Sequence, residues 1–567
     1  MATQSGELPV LDNPIFLRFA RERLRLRQLL PWALVTVVFA LFIFLLTYLG
    51  LLHRAQATTP QEAARSGFVA LVIFQAFILM LLGTGRVAAT VATDKERGLL
   101  DYHRITPMSP VSRIVGYLFG APVMEYVLFL LTMPLSLYAI LVGQMDVLAV
   151  GQLYIVGLSG VWLYHGSAMV AGMVASSPRR AAMLSQGLVL LLYLLVPQLG
   201  GLGFRFLQYL TARPTFLVVA ERELGLDAGA TMGESLADLG VVYFLNFQIG
   251  STLFSLLLQG FLTFSLLLIV YRRWQRAHCH AFSKRYALTF YAVTMALIIG
   301  CLWPYLSNTA LFNMVGQTAM QKITYGYMLL GALLALVLGH LISPTRHDYL
   351  RGLRRARKLG LGDIPRHSDE ADATIWVISF MAIATMGFTL LMFAGRAFDR
   401  FDMVAGPPSW PTLALVLAVM LSTIAAGYFA RAWGETRGML MFAFLGWVCP
   451  LLAGTIVIVS APDGEVAAAY VAAPSAPVGM GWSVLLLADA EFMTDPFARI
   501  APHAFVLTVL SLAFHVMVAV IFASRLVELR RSLIASEAAA ARTGDTDALP
   551  TGGNDADAAM AGTAAGP

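Results

Sequence analysis

The chain has 567 residues, of which 58% are apolar and only 13% are charged, and its mean hydropathy is +0.73. Soluble domains carry roughly 25% charged residues, so this composition excludes a water-soluble globular protein. The formal charge of +6 comes from 39 basic and 33 acidic residues. In a membrane protein such an excess reflects the sidedness of the loops, and we expect no nucleic-acid partner.

The N-terminal segment, residues 1–29, is basic and lacks the apolar core and small-residue cleavage site of a signal peptide. Asn13 followed by Pro14 predicts a helix start, because Asn caps helices and Pro suits the first helical position. One face of this helix then carries charges at i, i+3, i+4 and i+7: Arg18, Arg21, Glu22 and Arg25. The other faces are largely apolar, which indicates a helix along the inner membrane surface. The alternative is an ordinary basic flank that sets the orientation.

Long apolar runs follow, each of about 20 residues or more and able to cross roughly 30 Å of hydrocarbon. Backbone polar groups in lipid must be bonded within the segment, so these runs predict helices. They lie near residues 30–50, 67–87, 114–142, 148–175, 182–204, 251–271, 286–306, 323–343, 373–395, 412–430, 438–461 and 503–523. The predicted fold class is therefore an all-α polytopic membrane protein with about twelve transmembrane helices.

The basic residues support this count and set an orientation. With a cytoplasmic N-terminus and alternating sides, 30 of the 39 Lys and Arg residues lie inside and 9 lie outside. This distribution follows the positive-inside rule and predicts that both termini are cytoplasmic.

The loops recur in the same order after about 255 residues, which predicts two six-span halves. The halves cover residues 30–271 and 286–531. A tail, 532–567, is rich in Ala, Gly, Thr and Asp and is predicted to be disordered, because it cannot bury a core. Each half has a long outer segment with an apolar stretch too short to cross, Val241–Ile249 and Trp482–Leu487. We expect re-entrant or interfacial helices there.

The inner loop between the second and third spans holds the most informative motif. It opens with alternating charges, Asp94, Lys95, Glu96 and Arg97. Gly98 then permits a bend, and Thr106 with Pro107 ends the helical segment before the chain re-enters lipid. The pattern predicts a short amphipathic helix presented to the cytoplasm, although many loops between spans share these features.

This motif resembles the coupling segment of type-2 ABC exporter permeases, which is an acidic-basic-acidic run followed by Gly, Leu and then Thr-Pro. The matching residues are Asp94-Lys95-Glu96-Arg97-Gly98-Leu99-Leu100 and Thr106-Pro107-Met108-Ser109. Asn13-Pro14 before an Arg-rich helix is also similar to that family. The resemblance implies an interfacial helix, a coupling helix between spans two and three, and re-entrant helices before span six.

The resemblance further implies partners and roles. The ATPase-coupling residues would be Asp94, Lys95, Glu96, Arg97, Gly98, Thr106 and Pro107. Separate cytoplasmic ABC ATPase subunits, in two copies, would bind ATP and Mg, and lipids of a bacterial inner membrane would surround the permease. A P-loop needs Gly-Lys, and none of the four lysines of this chain follows a glycine. We therefore expect no catalytic residue, bound cofactor or metal in this chain.

Two further features keep alternatives open. The loop of the second half, residues 344–358, is basic without a Thr-Pro ending, so it is either a second coupling element or a contact with anionic lipid. Glu125 lies inside the third span, where a carboxylate is costly, so it is either a functional group or a paired structural carboxyl. His165 and His515 are interpreted as polar contacts between packed helices.

Two other classes of function stand beside the permease hypothesis. An ion-driven twelve-span transporter would carry buried charges along a midplane pathway, and this chain has few. A membrane-embedded enzyme or assembly scaffold would show clustered His, Asp or Glu at the membrane face, and the sequence shows no such cluster. The apolar spans do not select a substrate.

Overall fold

A computed structural model describes residues 12–53, 59–106, 108–198, 204–224, 240–276, 279–315, 318–401, 408–460, 464–487 and 497–543. Eleven helices in this part of the chain are long and apolar enough to cross a membrane. This confirms the predicted all-α polytopic class. The chain divides into two compact units, Met1–Phe282 with Ala296–Gly326 and Ser283–Met295 with Tyr327–Pro567.

In its described residues the first unit is helical apart from one small hairpin. Its elements are α1 (Pro14–Arg23), α2 (Leu26–Leu52), α3 (Pro60–Ala76), α4 (Thr84–Glu96), α5 (Leu99–Ile105), α6 (Pro110–Gly120), α7 (Val123–Gly143), α8 (Val147–Val174), α9 (Pro178–Leu195), α10 (Arg213–Leu224), β1 (Val241–Phe244), β2 (Phe247–Gly250) and α11 (Ser251–Gln275). A 3-10 turn, Arg205–Leu210, precedes α10.

The second span is longer than its apolar run. A π-helical segment, Phe77–Gly83, joins α3 to α4 without a break, so one helix runs over Pro60–Glu96. The third span is instead interrupted, because α6 ends at Gly120 and α7 begins at Val123 after Pro122. Proline lacks the backbone donor that would continue the helix. Glu125 therefore lies in the first turn of α7.

The apolar stretch Val241–Ile249 is not a re-entrant helix, and that prediction is wrong. It forms an antiparallel hairpin in which Val241 pairs with Gly250 and Phe244 with Phe247. The stretch is rich in β-branched and aromatic residues, which favour strands over short helices. Leu245 at the turn donates its backbone N–H to the carbonyl of Gly300, so the hairpin is anchored to the segment Ala296–Gly326 of the same unit.

The remaining helices follow in chain order. They are α12 (Lys284–Ser307), α13 (Thr309–Val315), α14 (Ala319–Ile342), α15 (Arg346–Lys358), α16 (Thr374–Ala397), α17 (Trp410–Ala443), α18 (Cys449–Ser460), α19 (Glu465–Ala472), α20 (Ala476–Leu485), α21 (Phe497–Ile500) and α22 (Ala504–Thr543). Residues 296–326 group with the first unit, whereas the sequence prediction assigned 286–531 to the second half. The hairpin contact at Gly300 accounts for part of this difference.

The count of eleven differs from the predicted twelve because two predicted spans, 412–430 and 438–461, are continuous in the stretch Trp410–Ser460. Glu435 has non-helical angles, φ 54° and ψ −139°, and breaks this stretch. A Cβ on Gly438 would clash with the carbonyl oxygen of Ala430, although residues eight apart in a straight helix are about 12 Å apart. The chain therefore turns back at Glu435, and the stretch forms two antiparallel helical segments.

The C-terminal tail begins later than predicted. The helix α22 continues to Thr543, which is beyond the predicted start of the tail at residue 532. Its extension contains Ala-rich sequence that favours helix, and Glu537 is bonded by two arginines of α15. The rest of the predicted tail, residues 544–567, lies outside the described residues. In the second outer segment the apolar stretch Trp482–Leu487 contains the end of α20.

Candidate functional site

The candidate site is the turn between α4 and α5, at one end of the long helix Pro60–Glu96. The helix α4 ends at Glu96, Arg97 follows as its C-terminal cap, and Gly98 adopts φ +71° before the seven-residue helix α5. Only glycine adopts this left-handed conformation without a steric cost. Thr106 ends α5 with extended backbone, and Pro107 lies outside the described residues. The turn thus has the short helix that the sequence predicts.

Four consecutive residues of this turn, Lys95 to Gly98, are exposed. The Lys95 ammonium donates to the carbonyl oxygens of Met173, at 2.7 Å, and Ala175, at 3.3 Å. These carbonyls belong to the C-terminal end of α8, where a cation is favoured by the helix dipole. Within the described part of the chain, the side chains of Glu96 and Arg97 form no hydrogen bond and no ion pair. They are free to meet a partner.

Asp94 does not belong to this exposed group, and the expectation that it would contact a partner needs correction. Its side chain is only 3% exposed. One carboxylate oxygen accepts from the Arg18 guanidinium at 3.2 Å, and the other accepts from the Tyr117 hydroxyl at 2.6 Å. Asp94 shares a face of α4 with the buried Val87 and Val91, which turns it into the core. It anchors the end of α4.

The helix α1 starts as predicted. The side-chain oxygen of Asn13 accepts from the backbone N–H groups of Ile15 and Phe16. Its side-chain amide nitrogen donates to the Ser112 carbonyl at 2.6 Å. Asn13 thereby caps α1 and fastens it to α6. Gly116 permits this approach, because a Cβ there would lie 2.7 Å from the Ile15 side chain.

The arginines predicted for the N-terminal helix lie in different environments. Arg18 bonds Asp94, whereas Arg21 is exposed. Arg25 lies outside α1, because the helix ends at Arg23 and the chain starts α2 one residue after Arg25. The prediction that Arg25 completes the charged face of this helix is therefore wrong. Arg23, which the sequence reading passed over, donates to the Thr90 hydroxyl at 3.0 Å.

The aromatic core under α1 joins it to the spans. Tyr117 contacts Phe19 edge-on at 5.4 Å between ring centroids and Trp274 at 5.1 Å. Both Tyr117 and Phe19 are almost fully buried. Arg113 closes this region at the other side by donating to the carbonyls of Met108 and Trp274. The ends of α1, α4, α6 and α11 therefore form one packed block around Asp94.

Glu125 is buried and paired. Its carboxylate lies 3.4 Å from the Arg86 guanidinium of α4, while its second oxygen has no hydrogen-bond partner among the described residues. Arg23 is a second cation whose charge acts on Glu125. Burial lowers the pKa of Arg23, and the charge of Arg86 lowers it further, while Glu125 acts in the opposite direction. This geometry favours the paired-carboxyl interpretation of Glu125.

The corresponding loop of the second unit, α15, uses most of its arginines internally. Thr345 and Asp348 form a capping box at its start. Arg351 bonds Asp348 and Glu370, and Arg354 and Arg357 both bond Glu537 of α22. Arg346, at the start of the helix, is exposed and donates to the Trp433 carbonyl, and the remaining exposed cations are Arg355 and Lys358.

His165 makes contacts inside the first unit, as the interpretation of this residue as a packing contact requires. Its Nε2 lies 3.2 Å from the Leu79 carbonyl in the π-helical segment, and its Nδ1 lies 3.3 Å from the Tyr126 hydroxyl. In the second unit, His515 Nδ1 lies 2.8 Å from the Ser511 carbonyl of its own helix.

The chain was also compared with protein-family models, with curated proteins and with solved structures, and none of them matches. A functional assignment therefore depends on the residues and geometry described above.

Proposed function

We propose that this multi-pass membrane protein is the permease subunit of an ATP-driven exporter of the type-2 ABC class. The observation that supports it most is the turn Glu96–Gly98, where two exposed charges, unpaired among the described residues, lie close to the buried anchor Asp94. Separate cytoplasmic ATPase subunits, in two copies, would dock there and carry the ATP and Mg. The proposal places the chain in a bacterial inner membrane with both termini cytoplasmic.

The mechanism that this geometry supports is mechanical. A partner that moves α5 also moves the end of α4, because only Arg97 and Gly98 separate the two helices. Asp94 fastens α4 to α1 through Arg18 and to α6 through Tyr117, and Lys95 fastens it to α8. A displacement at the turn is thus passed to four helices rather than absorbed by the loop.

Charge reversal at the turn tests the proposal. The chain is purified from its native membrane with an affinity tag, and co-purifying ATPase is measured by its MgATP hydrolysis. We expect Glu96→Arg with Arg97→Glu to remove at least about nine-tenths of the bound ATPase, since like charges placed opposite each other cost several kcal/mol at an interface. Folding should be unchanged, because exposed substitutions usually shift stability by less than about 0.5 kcal/mol.

A matched control uses the second unit. Arg355→Glu with Lys358→Glu changes two exposed charges on α15, which distinguishes a specific docking turn from a general need for surface charge. Retained ATPase in this control, with loss in the α4–α5 variant, supports one docking turn. Loss in both supports a second coupling element in α15. Uphill transport by the purified chain alone, driven by an ion gradient, would overturn the proposal in favour of a secondary transporter.

A further inference from the structure

The first unit contains an apolar cavity of about 440 Å³ beside the π-helical segment Phe77–Gly83. Its walls come from the second span, from α8, from α9 and from the start of α10. Ligand sites in proteins usually measure about 300–1,000 Å³, whereas a 150 Å³ cavity is enough to hold benzene. This cavity therefore has room for a ligand much larger than benzene.

The few polar groups of the wall are already bonded to the protein. The Gln75 amide donates to the hydroxyls of Thr132 and Ser136, and its oxygen accepts from the Tyr154 hydroxyl at 2.8 Å. The Tyr193 hydroxyl donates to the Met80 sulfur. The cavity consequently offers an apolar surface, and a polar group placed inside it would lose its water without a replacement partner.

The π-helical segment shapes this wall, and two side chains hold it. Leu79 and Leu81 leave carbonyl oxygens that are contacted by His165 Nε2 and by the Gln186 amide, each at 3.2 Å. A Cβ on Gly83 would lie 2.9 Å from His165 Nε2, and one on Gly85 would clash with the side-chain nitrogen of Gln186. Such π segments are rare in α-helices and are frequent at functional sites. Here the widened turn is fixed by contacts from α8 and α9.

The shape and the rim narrow the class of ligand. The wall runs along the second span from Val72 to Leu81, about 14 Å at 1.5 Å per residue, which suits a linear chain. At the side of the cavity Ile73, Phe77 and Leu190 are 59%, 45% and 51% exposed. They belong to membrane-spanning helices, so this side faces the lipid.

The cavity also has one cationic residue. Arg213, at the start of α10, is half-exposed and lies in the lining, and its guanidinium bonds the Gln208 side chain. A guanidinium has five donors in a planar fork that matches carboxylate and phosphate groups. A guanidinium keeps its positive charge while it bonds neighbouring groups, so Arg213 would attract an anionic head to the start of α10.

We propose that this cavity binds one acyl chain of an anionic, lipid-like amphiphile, with the chain along the π-helical segment and the head beside Arg213. The amphiphile enters from the bilayer between the second span and α9. A free fatty acid and an anionic phospholipid share this chemistry. The inference concerns binding by the isolated chain and does not require that the ATPase-coupling proposal is right.

Photo-crosslinking tests the proposal on the full chain in detergent micelles. One probe is a C16 fatty acid with a diazirine near its methyl end, and the second is the same chain in a phosphatidylglycerol. We expect the label on peptides that contain residues 72–81, 153–161 or 189–193. Labelling by the fatty acid alone, or by the phospholipid alone, identifies the source of the chain. Labelling by neither probe would overturn the proposal.

Two glycines of α8 provide a matched pair of variants. Gly157 lines the cavity near Met80, whereas Gly151 has open space around it and is not in the lining. We expect Gly157→Phe to fill the cavity and to lower specific labelling at least about tenfold, and Gly151→Phe to leave it unchanged. Both variants should elute as the wild-type chain does. Equal labelling of the two variants would contradict the site.

Arg213→Gln tests the position of the head. We expect labelling by the fatty acid to fall several-fold and labelling by the matching C16 alcohol to stay the same. If labelling by the acid and by the alcohol fell equally, Arg213 would not act through the charge of the head, and the assignment of an anionic head would be overturned.

Discussion

The charged loops of the two units, the α4–α5 turn and α15, use charge in different ways. In the first unit, the buried Asp94 anchors the turn, and Glu96 and Arg97 lie at the surface without a partner in the part of the chain that the structure describes. In the second unit, Arg351, Arg354 and Arg357 of α15 are held by carboxylates of the same unit. The first arrangement leaves two successive charges at the surface, and the second pairs most of its arginines within the unit.

The difference separates two properties that look alike in sequence. The loop of the second unit has the larger basic charge and would attract attention as a docking or lipid-binding surface. Its arginines nevertheless fasten α15 to α22, so much of that charge stabilises the unit. The loop of the first unit has fewer charges, but its two surface charges are not bonded to other described residues. It is therefore the stronger candidate for recognition.

The anchor of the first loop gives the largest expected effect. Asp94→Ala removes the carboxylate that pairs with Arg18 and accepts from the buried Tyr117 hydroxyl, so we expect a loss of about 3 kcal/mol of stability. Asp94→Asn keeps an acceptor for Tyr117 and should cost less. The midpoint of thermal unfolding in detergent measures both. Glu96→Ala is the control, and an equal effect of Glu96→Ala and Asp94→Ala would contradict the anchor role.

The burial of Asp94 shows where sequence reasoning stops. Its polarity and its place in an acidic-basic run predicted exposure, but its partner Arg18 is 76 residues away. A signal was present, because Asp94 continues the face of Val87 and Val91 by i+7 and i+3. Local features were predictable because they depend on residues that are close in the sequence, whereas the burial of Asp94 depends on a distant residue. The Asn13 cap depends on neighbours within three residues.

The spans were predictable because hydropathy over 20 residues is decisive in lipid. Their interruptions were less so. The break at Pro122 was missed, because residues 114–142 were predicted to be one span, whereas the reversal at Glu435 lies between the predicted spans 412–430 and 438–461. The hairpin Val241–Gly250 was missed because length and hydropathy alone do not separate a short strand from a short helix.

Two glycines test the same comparison between the loops, and we expect their substitution to change the stability by less than the loss of Asp94 does. Gly98 and Gly360 end the helices of the two loops with φ +71° and φ +67°, and neither Cβ would meet a neighbour. We expect Gly98→Ala and Gly360→Ala each to cost about 1 kcal/mol of stability, from the left-handed backbone alone. Only Gly98→Ala should also weaken ATPase co-purification. Unfolding midpoints and captured ATPase activity measure the two effects, and equal loss of ATPase in both variants would contradict the distinction between the loops.

The internal use of charge in the second loop is tested at Glu537. This carboxylate bonds Arg354 and Arg357, whose side chains are partly exposed. We expect Glu537→Gln to cost about 0.5–1 kcal/mol and to increase proteolysis near the end of α22. Glu528→Gln, which affects an exposed pair within α22, is the control. Unchanged proteolysis in Glu537→Gln would show that the two arginines do not fasten the helix.

The smallest expected effect concerns pH and a second fastening point of α22. Burial alone would raise the pKa of Asp372, but hydrogen bonds and charge from Arg530, with further bonds from Thr374 and Tyr428, hold it below its usual value of 3.8. A carboxylate with a lowered pKa in the folded state adds stability above its unfolded pKa, and this contribution is lost as the pH falls through the folded pKa. We therefore expect the difference in unfolding midpoint between the wild type and Asp372→Asn to be constant from pH 8 to pH 5 and to shrink below about pH 4. A difference that stays constant down to pH 3 would mean that the charge of Asp372 does not stabilise this unit, and that only the shape of the side chain matters.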